Sequence, residues 1–339
     1  MAINKKRLMT GVAGGVTPSE HFGITLFNGN NTTVSTPFNA STEGGLFWIS
    51  NRQHANGNFL IDSVRGVTQT LFGTDTSGQV VRQSITAFNS SNVTVGTYSS
   101  IGSGGSGTNV LWSWRGGGTA SSNSNGSITS SVSANVDAGF SIVTYSGAST
   151  TSTVGHGLSA PPQIIIVKAL NLNAGYPTLF NDGSSSFGLR LNTSNASDNA
   201  NKEAFFGNGS SHIAPTSSVF TVGNVDETNQ GYNYVAYCWT PITGYSHFGT
   251  YDGTDDATKS ITGLGFTPRL IAIKCHNGSS QWNVLDSVRG VTHPLEWNNG
   301  TAEQTRSDFL VSFDSDGFTV AGDDAVSDAG RSFIYLAWA

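Results

Sequence analysis

The sequence predicts an all-β protein built from three tandem, diverged, antiparallel β-sandwich units of jelly-roll-like type. Two observations support this prediction: the composition is poor in strong helix formers, and one unit recurs three times along the chain. Of the 339 residues, 42 are glycine and only 11% are charged, whereas 37% are hydrophobic and 10% are aromatic. Such a chain has little tendency to form helices but enough apolar residues to fill a core.

An exact repeat identifies the units. The heptapeptide DSVRGVT begins at Asp62 and again at Asp286, so an offset of 224 (286 minus 62) relates the first copy to the third. An offset of 106 (274 minus 168) relates Lys168 in a middle copy to Lys274 in the third. The chain therefore contains three diverged copies of one supersecondary unit.

Each copy contains the same series of predicted strands. A first strand ends in aromatic-x-Gly, and a strongly apolar strand follows it, written LFWISNR, QIIIVKAL and LIAIKCHN in the three copies. Because these runs are almost wholly apolar, we expect them to be buried on both faces or in the centre of a sandwich. Next come a strand ending in VTVG, FTVG or FTVA and a closing strand, VLWSW, VAYCW or IYLAW. Alternate residues of the closing strand form an aromatic stripe that we interpret as core.

The strand series divides the chain into five segments. Residues 116–136 are rich in Gly and Ser, which predicts a flexible linker that spaces the first two units apart. The second and third units are joined only by the short segment TPITG, so we expect them to pack at a fixed angle. The remaining segments are an N-terminal docking arm at residues 1–20 and sandwich units at residues 21–115, 137–240 and 241–339.

Charge and cysteine content exclude several classes of protein. The formal net charge of -6 argues against a nucleic-acid partner, and residues 241–339 alone carry twelve acidic and six basic residues. No run approaches the roughly 18 apolar residues of a membrane-spanning helix, so we expect no membrane insertion. Cys238 and Cys275 lie in apolar strands and predict buried thiols rather than a disulfide framework.

The repeated DSVRGVT segment has two interpretations. It could form twin polar sites for a sugar or a carboxylate, or it could be a tight turn in which the aspartate caps backbone N–H groups and the arginine folds back on it. The middle copy keeps a turn-forming Asp182 but has no arginine, so loss of the pair is tolerated. We therefore favour a structural turn over a binding site.

Signals for other sites are weak. Asp314 and Asp316 precede a glycine, but an EF-hand loop would need an oxygen ligand where Phe318 stands, so we predict a hairpin turn. The chain has no G-x-S-x-G or H-E-x-x-H motif, and its seven histidines lack metal-ligand spacing. The acidic residues fall mostly in loops. We therefore expect no enzymatic activity and no cofactor.

The segments GFTPRLIAIK, DSVRGVTHPL, SFDSDGFTVAG and FIYLAWA of the third copy resemble a repeated β domain of marine bacteriophage structural proteins. That family includes tail-fibre-like and other virion-surface proteins of phages that infect cyanobacteria and abundant marine heterotrophs. The resemblance implies a virion component without enzymatic activity. The second copy departs from the family pattern, because it lacks DSVRG. The chain also has no coiled-coil or collagen-like stem, which argues against an elongated fibre.

The function expected from these observations is that of a non-catalytic bacteriophage virion structural protein on the particle surface, in the head decoration or the tail and adsorption apparatus. Its partners would be other virion proteins and further copies of itself. The basic residues Lys5, Lys6 and Arg7 would dock the N-terminal arm on the particle. The alternative is a carbohydrate-binding adhesin that contacts host glycans through Trp282 and Trp297 at loop tips. A depolymerase is a third, weaker hypothesis.

Overall fold

Three copies of one strand series fold into three antiparallel β-sandwiches that follow one another along the chain. The computed structural model describes residues 15–101, 107–323 and 325–339. This architecture confirms the predicted all-β sandwich fold. Within the described ranges, no helix is long and apolar enough to cross a membrane.

The first unit pairs a large sheet with a small one. Its elements are a 3-10 helix (Pro18–Glu20), β1 (Phe22–Asn28), β2 (Thr32–Ser35), β3 (Gly45–Asn51), β4 (Asn58–Asp62), β5 (Gln69–Phe72), β6 (Val80–Val81), β7 (Ile85–Phe88), β8 (Asn92–Val95), a 3-10 helix (Ser99–Ile101) and β9 (Thr108–Arg115). The large sheet has the order β1-β9-β3-β4-β5-β6, and the small sheet has the order β2-β8-β7.

The second unit keeps most of this plan, adds two strands and one helix, and within the described residues has no counterpart of β6 or β7. Its elements are β10 (Ser121–Asn123), β11 (Ser130–Asn135), β12 (Phe140–Ser146), β13 (Ser152–Gly155), β14 (Ile164–Ala169), β15 (Pro177–Asn181), β16 (Ser186–Arg190), α1 (Asn199–Phe205), β17 (Val219–Val222) and β18 (Asn233–Trp239). The large sheet has the order β10-β11-β12-β18-β14-β15-β16, and β13 pairs with β17. The side chain of Asp198 caps α1 by accepting the N–H of Ala200 at 2.8 Å.

The third unit returns to the plan of the first. Its strands are β19 (Ser246–Asp252), β20 (Thr258–Thr262), β21 (Leu270–Cys275), β22 (Asn283–Asp286), β23 (Gly290–Glu296), β24 (Leu310–Asp314), β25 (Gly317–Ala321) and β26 (Ser332–Trp338). The large sheet has the order β19-β26-β21-β22-β23, and the small sheet has the order β20-β25-β24. In every unit the closing strand, β9, β18 or β26, lies between the first strand and the apolar strand.

The segment predicted as a flexible linker, residues 116–136, is instead part of the second sandwich. It contains β10 and β11, and β11 pairs with β12 from Asn135 opposite Phe140 to Ser131 opposite Thr144. The prediction was wrong because a Ser- and Gly-rich composition suits an edge hairpin as well as a connector. Two aliphatic residues of the segment, Ile128 and Val132, bury their side chains in the core of the second unit.

The pairing of β10 and β11 with the second sheet should protect residues 116–136 from proteolysis. We expect a broad-specificity protease to leave residues 116–136 uncut under native conditions, because cleavage needs a locally unfolded chain and this segment is tied into the sheet. Mass spectrometry of the digest would locate the first cuts. Cleavage within 116–136 before any cut elsewhere in the chain would support the flexible linker and contradict the ordered hairpin.

The apolar strands are buried on both faces, as predicted. All seven residues of β3 are buried. Phe47 and Ile49 face the small sheet of their own unit, whereas Leu46 and Trp48 face a second core that all three units share. Side chains alternate between the faces of a strand, so an apolar residue is needed at each position when both faces are covered.

The shared central core joins the three large sheets face to face. At its centre, equivalent tryptophans of the three closing strands contact one another edge to face. The ring centroids of Trp114 and Trp239 are 6.0 Å apart, those of Trp114 and Trp338 are 5.4 Å apart, and those of Trp239 and Trp338 are 6.1 Å apart. The first two units are therefore not spaced apart as expected; the three units surround a pseudo-threefold axis. The aromatic stripe is core, as predicted.

Candidate functional site

The first DSVRGVT segment leaves β4 at Asp62 and forms a tight turn. The Oδ1 atom of Asp62 accepts the backbone N–H of Val64 at 3.0 Å and of Arg65 at 2.9 Å. Its Oδ2 atom accepts the Nε–H of Arg65 at 2.5 Å, and Gly66 has a φ of 94°, which glycine adopts without strain. This geometry confirms the turn predicted for the segment.

The guanidinium group of Arg65 is buried, and all of its N–H groups have acceptors. Nη1 donates to the carbonyl of Gln69 at 3.1 Å and to Oε1 of Gln79 at 3.0 Å. Nη2 donates to the carbonyl of Leu60 at 3.0 Å and to the hydroxyl of Tyr237 at 3.1 Å. An arginine has five N–H donors, and with the bond to the carboxylate all five are used. No donor remains for an external ligand.

The second DSVRGVT segment repeats this arrangement at the end of β22. Asp286 accepts the N–H of Arg289 at 2.9 Å through Oδ1 and its Nε–H at 2.6 Å through Oδ2, and both side chains are fully buried. Nη1 of Arg289 also donates to Glu303 at 3.0 Å, and Glu303 forms a two-pronged ion pair with Arg52 of the first unit. The turn thus connects the third unit to the first.

A neighbouring unit completes each buried ion pair. The hydroxyl of Tyr237 in the second unit donates to Oδ2 of Asp62 at 2.8 Å. The indole N–H of Trp112 in the first unit donates to Oδ2 of Asp286 at 3.0 Å. Trp112 and Tyr237 hold equivalent positions in β9 and β18, two residues before Trp114 and Trp239, which are tryptophans at the pseudo-threefold axis. Burial raises the pKa of Tyr237 well above its usual value, because it disfavours the charged phenolate.

At the remaining interface, between the second and third units, apolar residues take both positions of this contact. Phe180 occupies the position of Asp62 and Asp286. In each unit, this residue pairs with one residue of the apolar strand, and that same strand residue pairs on its other side with the tryptophan at the pseudo-threefold axis. The donor position in β26 is held by Leu336, two residues before Trp338. Both Phe180 and Leu336 belong to the central core. A buried ion pair can be exchanged for packed apolar groups when all partners change together.

A second set of hydrogen bonds crosses all three interfaces between units. In each unit, the residue at or just before the start of β4, β15 or β22 donates a hydrogen bond from its side chain to a backbone carbonyl of the neighbouring unit. The donors and acceptors are Asn58 with Glu296 at 2.8 Å, Tyr176 with Phe72 at 2.7 Å, and Trp282 with Arg190 at 3.2 Å. Offsets of 224 and 106 relate the three donors and the three acceptors alike, so the contacts obey the pseudo-threefold symmetry.

Two buried lysines at equivalent positions also cross these interfaces. Nζ of Lys168 donates to the carbonyl of Thr76 in the first unit at 3.0 Å, and Nζ of Lys274 donates to the carbonyl of Ser194 in the second unit at 3.0 Å. Each also bonds a carbonyl of its own unit, that of Ala174 or Ser280. A lysine near the end of an apolar strand in two copies was a usable sequence signal for these contacts.

Burial lowers the pKa of both lysines from 10.5 to about 8. Between these pH values the unfolded chain holds a proton that the folded chain has released, so stability rises with pH. Raising the pH from 7.5 to 10.5 should therefore increase the free energy of unfolding of the wild type, relative to that of the variant Lys274→Met, by up to roughly 3 kcal/mol. The neutral amine keeps two N–H donors for its two carbonyls.

Urea unfolding of both proteins at several pH values would measure this gain. Because the difference between the two proteins is compared, groups that titrate in both cancel. A difference that stays constant or shrinks as the pH rises would contradict the lowered pKa of Lys274.

Both tryptophans predicted as exposed glycan contacts are buried. Trp282 is 1% exposed and Trp297 is 2% exposed, and both belong to the central core. Trp297 stacks on Trp48 of the first unit with ring centroids 4.3 Å apart. The loop-tip prediction was wrong because Trp282 follows a polar loop and Trp297 precedes one in sequence, but both fill the interfaces between units. The predicted docking residues Lys5, Lys6 and Arg7 lie outside the described residues.

The other sequence signals have structural explanations. Asp314 ends β24 and Asp316 lies in the two-residue turn before β25, which confirms the predicted hairpin. Asp316 accepts the backbone N–H of Gly263 at 3.1 Å and of Gly265 at 2.7 Å. Cys238 and Cys275 are buried as free thiols, as predicted. Among the described residues, no group of three or more His, Cys, Asp or Glu side chains is arranged to hold a metal ion.

An open groove of about 510 Å³ crosses the face of the second unit's large sheet. Ser122, Ser131 and Thr144 form one row across β10, β11 and β12, because each pairs with the next. Among the described residues, no side chain that lines the groove carries a formal charge. The exposed and half-buried residues in its lining are Ser122, Thr129, Ser131, Thr144, Ser146, Leu170 and Asn233.

A family model matches most of the chain. No curated protein is similar to the chain in sequence. Residues 17–339 match a family described as a domain of unknown function, DUF7483. The match begins at the first 3-10 helix and extends to the last residue, so it includes all three sandwich units. The chain therefore belongs to the family of the domain of unknown function DUF7483.

Proposed function

We propose that the protein is a non-catalytic structural protein on the outer surface of a bacteriophage particle, in the head decoration or the tail and adsorption apparatus. The observation that carries this proposal is the shared central core. Three sandwiches that could each bury a core separately are joined by apolar packing, ion pairs and hydrogen bonds. Such a body is suited to a passive mechanical role, because it presents loops from a rigid scaffold.

The chemistry of the interior supports a non-catalytic role. Asp62 and Asp286 are fully buried, and each accepts hydrogen bonds through both carboxylate oxygens. A general acid or base must reach a substrate proton, and these carboxylates are enclosed by their own partners. Lys168 and Lys274 are likewise directed at backbone carbonyls. The ionisable groups that stand out in the sequence are used to hold the units together.

The resemblance of the third copy to virion-surface proteins of marine phages supports the location. In that setting the partners are other virion proteins, and several copies of the chain are arranged on one particle. A rigid single-chain body with pseudo-threefold symmetry can present three related faces to neighbours, although the repeats have diverged. No nucleic acid is needed as a partner, in keeping with the net charge of -6.

The proposal is tested on purified particles of the virus that encodes the chain. We expect mass spectrometry to find the protein at many copies per particle and an antibody against the folded chain to label intact particles. Cryo-electron microscopy then separates the two locations: density that repeats over the shell means head decoration, and density at the tail vertex means adsorption. A protein found only in infected-cell lysate and never in the particle would overturn the proposal.

A second candidate function, binding of a neutral host glycan, is favoured by the groove on the second unit. Its lining offers hydroxyl and amide groups that both donate and accept hydrogen bonds, and it has no charge to attract an ionic ligand. The buried tryptophans take no part in this version of the adhesin hypothesis. The contact residues would be Thr144, Ser131 and their neighbours in the groove.

A glycan array followed by titration of a bound glycan tests this candidate. Thr144→Glu places a charge in the groove and should reduce affinity at least tenfold. Thr250→Glu is the matched control, because Thr250 holds the equivalent position in β19 and lies outside the groove. If no neutral glycan binds, or if both variants lose binding equally, the groove is not the site.

A further inference from the structure

The first strands of the three units, β1, β12 and β19, have the same neighbour on one side and different surroundings on the other. On one side each pairs with its closing strand. On the other side β12 pairs with β11, which in turn pairs with β10. The second unit therefore shows what this edge can bind: an extended strand in antiparallel orientation. The third unit begins at β19, and among the described residues no strand lies beyond it.

The backbone of β19 presents unpaired groups along this edge after Ser246, which exchanges two backbone hydrogen bonds with Ile242. The N–H of Gly253 donates to Arg331, and the N–H of Ala339 donates to Tyr245, so odd-numbered residues of this strand bond to β26. Because hydrogen-bonding directions alternate along a strand, even-numbered residues direct their N–H and C=O groups away from β26. For Phe248, Thr250 and Asp252, no hydrogen bond to these groups is found within the described part of the chain. The even-numbered Phe140, Ile142 and Thr144 of β12 pair with β11.

The edge of β19 is also the more open of the two unpaired edges. At β1, the hydroxyl of Thr25 donates to the carbonyl of Ser35 at 3.0 Å, and Pro37 lies against Gly23. At β19, Gly249 holds the position of Thr25 and has no side chain to form such a bond, while Thr250 and Asp252 are exposed like their counterparts in β1. Only residues 240–245 separate β18 from β19, which is too short for the hairpin that residues 116–136 form beside β12.

The charge beside this edge specifies the partner further. Asp252 ends β19, and the adjoining loop exposes Asp255 and Asp256. An antiparallel partner places its N-terminal end at this point, as Ser131 of β11 does opposite Thr144. A segment with basic residues at its N-terminal end therefore fits best. A second copy of β19 fits less well, because two acidic third units would be brought together.

We propose that the free edge of β19 binds an extended segment of another protein as an added antiparallel strand, with basic residues at the N-terminal end of that segment. Exposed strand edges are templates for such pairing, in which main-chain hydrogen bonds supply affinity and flanking side chains supply specificity. This interaction surface is independent of the location on a phage particle and of the glycan groove.

A peptide that carries the β11 sequence SSVSAN after two lysines is the probe, and the same peptide after two glutamates is its control. We expect the full-length protein to bind the lysine peptide at least tenfold more tightly than the glutamate peptide, and amide exchange at Phe248 and Thr250 to slow on binding. Thr250→Pro removes one outward N–H without removing a bond to β26, so it should weaken binding at least tenfold. Thr250→Val keeps the N–H and should bind normally.

A peptide with N-methyl groups on the amides that face β19 gives an independent check on the wild-type protein, and it should lose binding if pairing occurs. Equal binding of the methylated peptide, equal binding by Thr250→Pro, or no binding of the lysine peptide would each overturn the proposal. Sedimentation that reveals a dimer, dissociated by Thr250→Pro, would assign the edge to a second copy and overturn the choice of partner.

Discussion

Replacing Arg289 by Met is expected to lower the free energy of unfolding by about 3 to 5 kcal/mol. The substitution leaves the carboxylate of Asp286 buried without its counter-charge, and it also removes the link to Glu303. The loss of a buried partner costs more than the ion pair contributes, because the remaining charge is still desolvated. Urea unfolding monitored by circular dichroism at pH 7 would measure the change.

Two further variants identify the cause of this loss. Arg190→Met removes a two-pronged but partly exposed pair with Glu227 and should cost less than about 1 kcal/mol. The double variant Asp286→Leu with Arg289→Met should recover part of the loss of Arg289→Met, because no unpaired charge remains, as in the middle copy. A loss from Arg289→Met no larger than that from Arg190→Met would contradict the role of the buried pair.

Replacing Trp239 by Ala should lower the free energy of unfolding by about 3 to 5 kcal/mol. Its indole ring contacts Trp114 of the first unit and Trp338 of the third at the pseudo-threefold axis. The cavity therefore opens in the core of all three units at once. Because all three depend on that core, we expect one unfolding transition in the wild type and faster amide exchange in every unit of the variant.

Hydrogen exchange followed by mass spectrometry would resolve the units, and calorimetry would count the transitions. Trp239→Phe is the matched control, because it keeps an aromatic ring and should lose less stability. Separate transitions for the three units, or faster exchange confined to residues 137–240, would show that the sandwiches are independent and that the central core couples them weakly.

Much of the fold could be predicted from local patterns. Apolar runs such as LFWISNR gave the two-sided burial of β3, and the alternation in VLWSW gave the inward stripe of β9. The turn at DSVRGVT was also predictable, since Asp62, Arg65 and Gly66 are close in sequence and their bonds are local. These features depend on neighbours within a few residues, where residue type and spacing are informative.

Errors arose where the decisive partner was far away in sequence. Residues 116–136 have the composition of a linker, but Ile128 and Val132 find a core in the second unit. Trp282 follows a polar loop, but the carbonyl of Arg190 accepts its indole N–H from another unit. Composition and loop position describe the chain around a residue, and neither reveals which surface the residue will meet.

The sequence by itself determined the three repeats, their strand series and the turns between strands, because period-two burial and turn chemistry are encoded in short stretches. Only the tertiary structure decided that the three sheets close on one core. The bonds from Tyr237 to Asp62 and from Trp112 to Asp286 join residues 175 and 174 positions apart. Their donors and acceptors are paired because burial in a shared core leaves a polar group no water to bond.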